Sequence, residues 1–305
     1  MTTLEEKKKI ILNFEGPVAA VVTPFDNEGK LDTTQILPYA KHLIKIGIKG
    51  VFISGTTGEG FLLSVNERLS LIQAWRQALD QLKDTQQLLA IVNVSSTVVG
   101  DVESLASKVE SLGFDGVALL PPIYYTVSTR EQLVGYLKPI LQKAAPETPF
   151  LYYHIPSLSG ELKFELDSFV DLALQKIPQF VAMKFSDNNL VRFGAVQEQF
   201  GKRIKVFPGF NEILLPTKAF GIKAVICATF SFEDCVSWYL AMGKSYESGD
   251  LEGAVKFQKA IADKCVQLRK SGSFITSIKS GLNIDLKKDG ISLGQPRAPV
   301  YVPEN

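Results

Sequence analysis

Short apolar runs alternate with longer amphipathic stretches along most of this chain. Eight of the runs are rich in β-branched residues and are bounded by glycine, proline or polar residues, which is typical of buried strands. Because the runs are continuously apolar, they predict parallel strands that are covered on both faces. The predicted strands are Pro17–Thr23, Gly50–Ile53, Leu88–Asn93, Gly116–Leu120, Phe150–His154, Phe180–Phe185, Ile204–Phe207 and Ala224–Ala228.

The stretches between these runs have the periodicity of helices. Leu69 and Ile72, for example, are spaced as neighbours on one helix face. Three of the stretches are preceded by residues suited to N-caps, namely Ser64, Thr129 and Asp187. The predicted helices include Val65–Leu82, Asp101–Leu112, Arg130–Ala144, Glu165–Gln175 and Leu190–Phe200.

Eight such strand and helix units over about 240 residues match the size of a TIM (β/α)8 barrel. A doubly wound sheet fits less well, because no glycine fingerprint follows the first predicted strand. Two or three more helical stretches, roughly Leu251–Lys270 and Phe274–Leu282, and a polar tail follow the eighth unit. We therefore predict one domain over residues 1–305, with the barrel at about 15–248 and a C-terminal helical extension at about 249–305.

The composition is that of an ordinary soluble globular protein. The 305 residues are 46% hydrophobic and 21% charged, with a formal net charge of +1, which gives no support for binding nucleic acid or a membrane surface. The sequence has no run of eighteen apolar residues and no signal-peptide pattern at its beginning. Its cysteines, Cys227, Cys235 and Cys265, lack the spacing of a disulfide framework or zinc site. These features predict a cytoplasmic location.

In a (β/α)8 barrel the chemistry lies at the C-terminal ends of the strands and in the loops after them. The segment Gly55-Thr56-Thr57-Gly58-Glu59-Gly60 follows the second predicted strand. Its glycines allow the backbone to approach a ligand closely, and its adjacent N–H groups can form an anion site. The alternative is a tight turn rich in capping residues. The density of glycine and threonine favours a site for a phosphate or carboxylate.

Lys184 ends the sixth predicted strand. A lysine in this position often only reaches water, but it can also be a nucleophile held among apolar groups at the barrel mouth. Ser186, two positions on, points the same way. Tyr153 and His154 end the fifth strand and must point in opposite directions, so only one of them can face the mouth. A lone histidine here is more often part of a structural hydrogen bond than a catalyst.

The strand ends together supply a lysine, tyrosines, hydroxyl groups and a glycine-rich loop. Metal-dependent hydrolysis would need His, Asp or Glu ligands, which the strand ends do not provide. The set suits imine chemistry on a keto acid, in which the amine condenses with the carbonyl, the loop holds the carboxylate and a phenol moves protons. An apolar environment favours the neutral amine that this attack requires. Neither a metal nor an organic cofactor is predicted.

Three motifs in this order and spacing resemble the dihydrodipicolinate synthase/N-acetylneuraminate lyase superfamily. They are Gly55–Gly60, Tyr153-His-Ile-Pro-Ser-Leu-Ser-Gly160 and Met183-Lys-Phe-Ser-Asp187, within a resemblance that runs from about Pro17 to Pro299. The lyase branch is the more similar. The resemblance implies a class I aldolase that cleaves N-acetylneuraminate to N-acetylmannosamine and pyruvate. It also implies a homotetramer built as a dimer of dimers.

The resemblance also implies a role for individual residues. Lys184 would form the Schiff base, Tyr153 would be the general acid and base, and Thr56 and Thr57 would bind the pyruvate carboxylate. Tyr124 matches a loop aromatic near the proton-transfer path. The positions that match contacts to the rest of the substrate are Ser186, Gly209, Asn211, Glu212, Ala228 and Phe274.

Three positions bear on the substrate. Leu158 stands where synthases commonly carry an arginine for a second carboxylate, which argues against the synthase reaction. Asn211 and Ala228 replace an aspartate and a serine of the lyase pattern, and one lost hydrogen bond costs about 0.5–1.5 kcal/mol. Two alternatives therefore stay open: an aldolase for another 2-keto-3-deoxy sugar acid, or a non-catalytic protein that binds a sugar acid. Retention of Lys184, Tyr153, Thr56 and Thr57 together speaks against the second.

Overall fold

The computed structural model describes residues 3–270 and 272–301. The strands in these ranges are β1 (Gly16–Ala20), β2 (Gly50–Ile53), β3 (Leu89–Asn93), β4 (Gly116–Leu119), β5 (Phe150–His154), β6 (Phe180–Phe185), β7 (Lys205–Pro208) and β8 (Ala224–Cys227). The helices are α1 (Leu4–Asn13), α2 (Ile36–Lys45), α3 (Val65–Leu82), α4 (Val99–Ser111), α5 (Arg130–Ala144), α6 (Pro156–Ser159), α7 (Leu166–Lys176), α8 (Leu190–Phe200), α9 (Leu214–Lys218), α10 (Glu233–Glu247), α11 (Leu251–Lys270) and α12 (Phe274–Leu286).

The strands form a (β/α)8 barrel, as the sequence predicts. Each strand from β1 to β7 pairs in parallel with the next, and β8 pairs in parallel with β1. The strands β7 and β8 lie beside each other at the remaining seam. The C-terminal ends of all eight strands therefore meet at one end of the barrel, where the candidate residues are collected.

The predicted strands and most predicted helices are confirmed with small shifts at their ends. The first strand ends at Ala20, four helical residues extend α12 beyond Leu282 to Leu286, and α4 begins at Val99. Ser64 and Thr129 are N-caps, and both form capping boxes that satisfy the first N–H groups of α3 and α5.

The prediction that Asp187 is an N-cap was wrong. Asn189 caps α8 instead, because its side-chain oxygen accepts a hydrogen bond from the N–H of Arg192 at 2.9 Å. The carboxylate of Asp187 accepts from the N–H of Asn189 at 3.1 Å and from the guanidinium of Arg192 at 2.8 Å. Asp187 thus supports the turn before the helix rather than its first turn.

Two apolar layers hold the barrel together. The larger layer lies between the strands and the surrounding helices, and a smaller one fills the barrel interior. Ile11 of α1 belongs to the interior layer, and the ring of Phe14 lies 6.3 Å from that of Phe207. Lys205 donates a hydrogen bond to the carbonyl of Leu12 at 3.2 Å. The helix α1 therefore closes the N-terminal end of the barrel, opposite the candidate site.

A β-bulge in β6 determines which of its side chains face the interior. Phe150 pairs with Phe180, but Leu151 pairs with Ala182, so β6 contains one extra residue at Val181. Both Val181 and Ala182 pack in the interior layer, whereas Phe180 packs toward the helices. The bulge resets the alternation, and Lys184 consequently shares the interior face with its partner residue on β5.

The C-terminal segment, which comprises α12 and the residues after it up to Tyr301, packs against the loops at the barrel mouth. Phe25, in the loop after β1, donates its N–H to the carbonyl of Leu293 at 3.2 Å. The guanidinium of Arg297 donates to the carbonyls of Gly29 and Leu62 and forms two hydrogen bonds with Glu67 of α3. Within residues 3–270 and 272–301, no helix has the length and apolarity needed to cross a membrane.

Candidate active site

Lys184 lies inside the mouth of the barrel and is 4% exposed. Its Nζ stands 4.1 Å from the centroid of the Phe52 ring, which reaches it from β2 on the far side of the barrel. The same Nζ donates a hydrogen bond to the Oη of Tyr153 at 3.3 Å. The amine is therefore held between an aromatic wall and one phenol, as expected for a nucleophile kept among apolar groups.

Tyr153 is the central residue of a short polar chain. Its Oη lies 3.2 Å from the Oγ1 of Thr56, in the loop after β2, and 3.3 Å from Lys184. Its ring packs edge to face against Phe52 at 5.4 Å, which fixes the direction of the phenol. The hydroxyl of Thr56, the phenol of Tyr153 and the amine of Lys184 thus form a continuous chain of hydrogen bonds, along which a proton can pass.

The loop Gly55–Gly60 turns tightly at the mouth. A Cβ atom on Gly60 would lie 2.1 Å from the carbonyl oxygen of Ser54, so only glycine fits there. Thr23 donates its hydroxyl proton to the carbonyl of Gly58 at 2.6 Å. These contacts fix Thr56 and Thr57, which both line the cavity in front of Lys184.

The carboxylate of Glu59 in the same loop belongs to a buried network behind it. Its oxygens meet the Nζ of Lys279 at 2.8 Å and the backbone N–H of Arg297 at 2.8 Å. Burial lowers the pKa of Lys279 to about 8, although the Glu59 charge opposes this shift. Lys279 and Arg297 also lie over the ring of Phe25, at 4.0 and 4.5 Å. The network fastens the loop to the C-terminal segment.

The cavity continues from Lys184 toward the surface along residues that follow β6, β7 and β8. Gly209 has a steric role, because a Cβ atom there would lie 2.1 Å from the Oγ of Ser186. Glycine at this position allows the hydroxyl of Ser186 to enter the cavity. The residues that line this part are Ser186, Gly209, Phe210, Asn211, Glu212, Ala228, Arg269 and Phe274.

Asn211 is held in place by its neighbours. Its Nδ2 donates to the hydroxyl of Thr229, and its backbone carbonyl accepts from the side-chain amide of Gln258 at 2.9 Å. Gln258 in turn accepts from the N–H of Leu215 at 2.7 Å. The side chain of Asn211 therefore brings an amide rather than a charge to the cavity.

Four residues that line the cavity were not predicted from the sequence, the apolar Ala20, Ile155 and Phe210 and the charged Arg269. Arg269 is the one with a group that can bind a ligand by charge. It lies in the last turn of α11, where its guanidinium forms an ion pair with Glu212 and stands 5.2 Å from the centroid of the Phe274 ring. A basic residue in the last turn of a helix is usually explained by the helix dipole. The only sequence signal was its position five residues before Phe274, which was already predicted to line the pocket.

Tyr124 does not join this cavity within one chain. It is 86% exposed, has a left-handed backbone with φ of 69°, and packs against the ring of Tyr125 at 4.9 Å. Leu158 is also an exposed side chain, outside the residues that line the cavity. The roles assigned to Tyr124 and to the other site residues by resemblance stay predictions.

His154 faces the helices rather than the mouth, opposite to Tyr153, as strand alternation requires. It donates a hydrogen bond to Asp187 at 3.4 Å. That hydrogen bond and the nearby guanidinium of Arg192 lower the pKa of Asp187 to about 2, against the effect of burial. This pair lies under the loop after β6. Among residues 3–270 and 272–301, no group of three or more His, Cys, Asp or Glu side chains could hold a metal ion.

Comparisons with known proteins identify the family and the fold of this chain. The sequence model described as the dihydrodipicolinate synthetase family matches residues 13–304. N-acetylneuraminate lyases of Rattus norvegicus and Homo sapiens are 30% and 31% identical, and each match covers 96% of this chain and 88% of the relative. The structure of Proteus mirabilis N-acetylneuraminate lyase is similar with a TM-score of 0.85 at 27% identity, covering 96% of this chain and 94% of that one.

Proposed function

This chain belongs to the dihydrodipicolinate synthetase family, and from that premise we propose that it is a class I aldolase that cleaves N-acetylneuraminate into N-acetylmannosamine and pyruvate. The observation that supports this most directly is the convergence of the Lys184 amine, the Tyr153 phenol and the Thr56 hydroxyl within hydrogen-bonding distance. These groups come from three separate parts of the barrel and meet in one cavity.

The proposed reaction begins with the open-chain sugar acid. The neutral amine of Lys184 attacks the C2 ketone to give a carbinolamine. The C2 hydroxyl then leaves as water with a proton from the Tyr153 phenol, which gives a protonated imine and a Tyr153 phenolate. The carboxylate of the substrate lies against the loop that contains Thr56 and Thr57, where hydroxyl and backbone N–H groups can donate to it. This arrangement orients C2 toward the amine.

Tyr153 then removes the proton from the C4 hydroxyl, directly or through its contact with Thr56. The C3–C4 bond breaks, N-acetylmannosamine leaves as the aldehyde, and the electron pair passes into the imine to give an enamine. Protonation of the enamine at C3 returns the imine, and water releases pyruvate and regenerates Lys184. The imine itself is the electron sink, so the reaction requires no organic cofactor.

A second substrate class is supported by Asn211 and Ala228. The Nδ2 of Asn211 is already bonded to Thr229, and Ala228 has no hydroxyl to offer a sugar. Both features weaken contacts to sugar hydroxyl groups without affecting the imine chemistry. Another 2-keto-3-deoxy sugar acid is therefore the alternative substrate, and a panel of such acids assayed beside N-acetylneuraminate distinguishes the two.

We also propose that the chain is one domain that acts in the cytoplasm as a homotetramer. Its three cysteines are free and buried, which fits a reducing compartment. The exposed pair Tyr124 and Tyr125 offers an aromatic surface that a second copy would cover. In such an assembly Tyr124 could reach the site of a neighbouring copy, and light scattering of wild type and Tyr124→Ser tests this.

The direct test of the proposed chemistry is reductive trapping. Borohydride added with pyruvate should leave a stable adduct on Lys184, located by peptide mass mapping, and Lys184→Ala should form none. A Lys202→Ala variant controls for loss of an exposed lysine. If wild type releases no pyruvate from any sugar acid and yields no adduct at Lys184, the proposed function is wrong.

A further inference from the structure

The rim of the cavity contains an ion pair between Glu212, which the family resemblance already implies as a substrate contact, and Arg269, which has no assigned role. Glu212 and Arg269 contact each other there, and the Arg269 side chain is 48% exposed, whereas Lys184 at the inner end is 4% exposed. Of the described residues that line the cavity, Glu212 is the only carboxylate, since the neighbouring Asn211 is an amide. The rim is therefore close to neutral in charge.

The Arg269 guanidinium is positioned by the ring of Phe274 and by the packing of its own helix, α11. Phe274 begins α12 and supports the guanidinium by a cation–π contact at 5.2 Å. Ile261, Cys265 and Leu268 are buried and pack one face of α11 against the rest of the protein. A guanidinium has five N–H donors in a rigid fork, so the pair with Glu212 leaves several of them for a ligand.

We propose that Arg269 is a specificity-determining residue, which together with Glu212 recognises the hydroxylated far end of the substrate. The identity of the substrate in this proposal rests on the proposed function. A hydroxyl group both donates and accepts, and the pair supplies an acceptor on Glu212 and donors on Arg269. A sugar acid whose far end is a second carboxylate is disfavoured, because that carboxylate would meet the charge of Glu212.

The ion pair between Glu212 and Arg269 also predicts how a substitution should change the preference between two classes of sugar acid. Replacing Glu212 by glutamine keeps the shape but removes the negative charge, so Arg269 is free to bind a carboxylate through two parallel hydrogen bonds. Glu212→Gln should therefore weaken binding of N-acetylneuraminate and strengthen binding of a 2-keto-3-deoxy sugar diacid. Each change should be about tenfold, the size expected for one charged hydrogen bond.

Binding is best measured with substrates reduced at C2, which carry a hydroxyl instead of the ketone and cannot form an imine. By calorimetry, Arg269→Gln should bind reduced N-acetylneuraminate about tenfold more weakly than wild type, and Arg269→Lys should recover part of the loss. In turnover, Arg269→Gln should raise KM for the sugar acid with little change in kcat and leave KM for pyruvate in the condensation direction unchanged. Lys270→Gln, which removes a charge from the same helix end, is the matched control.

Two results overturn the proposal. One is unchanged binding of the reduced sugar acid by Arg269→Gln, and the other is a parallel loss of pyruvate affinity and of thermal stability, which would mark Arg269 as structural only. Absence of pyruvate release by wild type would instead refute the proposed function. The binding measurement does not depend on turnover, so the two failures are distinguishable.

Discussion

The Nζ of Lys279 lies 2.8 Å from the carboxylate of Glu59, and neither side chain is exposed to solvent. Glu59 belongs to the loop that carries Thr56 and Thr57, whereas Lys279 belongs to α12 near the end of the chain. The backbone N–H of Arg297 reaches the second carboxylate oxygen of Glu59 at 2.8 Å. The C-terminal segment therefore holds the proposed carboxylate-binding loop from behind.

Removing the cation of this pair should be strongly destabilising. Lys279→Met leaves the Glu59 carboxylate buried without its partner, and we expect the free energy of unfolding to fall by about 3–5 kcal/mol. Urea denaturation measures this. The double variant Lys279→Met with Glu59→Gln should recover part of the loss, because no buried charge remains. Lys287→Met, which replaces an exposed lysine, serves as the control. Equal free energies of unfolding for Lys279→Met and Lys287→Met would contradict the prediction.

Tyr153→Phe should separate adduct formation from catalysis. The ring can still pack against Phe52, but the hydroxyl that joins Thr56 to Lys184 is lost. We expect kcat for pyruvate release to fall by about 10²- to 10⁴-fold, the usual contribution of a general acid–base group. Borohydride should still trap pyruvate on Lys184, more slowly than in wild type.

The neighbouring Tyr152→Phe is the matched control for that variant. Tyr152 lies on the same strand, faces the helices and packs against Phe169 at 4.6 Å. Its activity should stay near that of wild type. Equal rates for Tyr153→Phe and Tyr152→Phe would remove Tyr153 from the mechanism.

Gly209→Ala should disturb the cavity through Ser186. The new Cβ atom would lie 2.1 Å from the Ser186 Oγ, so the side chain or the loop must move. We expect a higher KM for the sugar acid and a loss of stability of about 1–3 kcal/mol, as for other overpacked sites. Adding Ser186→Ala should relieve part of the loss of stability. Gly135→Ala in α5, where a Cβ atom meets nothing within 4 Å, should not destabilise the protein.

The Asp187 carboxylate should make stability depend on acid pH. Its pKa in the folded protein is about 2, below the unfolded value of about 3.9, chiefly because His154 donates a hydrogen bond to it. Its stabilising contribution is therefore fully present above pH 4 and is lost as the pH falls toward 2. We expect the difference in free energy of unfolding between wild type and Asp187→Asn to shrink over that range in urea titrations. A difference independent of pH would contradict this.

The sequence predicted the barrel because hydrophobic periodicity and strand spacing are local properties. Ser64 and Thr129 were identified as N-caps for the same reason. A helix was predicted after each strand, but no bounds were predicted for α2, α6, α9 or α10, and α1 was not predicted at all. The helix α1 was missed because Ile11 is its only buried residue, so its sequence lacks the periodic apolar face that predicts a packed helix. Asp187 was misplaced because its actual partners, His154 and Arg192, are recognisable only in three dimensions.

The site residues that lie at strand ends could be predicted from the sequence. Those that reach the site from distant segments of the chain could not. Lys184 and Tyr153 follow from position on their strands, and the structure brings them together. Arg269 approaches from a helix beyond the eighth unit, and nothing in its local sequence indicates that it contacts Glu212. The partners of Glu59 were missed in the same way, since Lys279 and Arg297 lie more than two hundred residues away.

The bulge at Val181 places on opposite faces two side chains that strict alternation would place on the same face. Phe180 and Lys184 are four positions apart, so a β6 with the same residues and no bulge would turn the Lys184 amine toward the surrounding helices, as Phe180 is. Every side chain proposed to take part in the chemistry would still be present in such a strand, yet the amine would no longer face the cavity. Deleting Val181 should instead leave Lys184 on the interior face, because the pairing of Leu151 with Ala182 and of Tyr153 with Lys184 is then continuous.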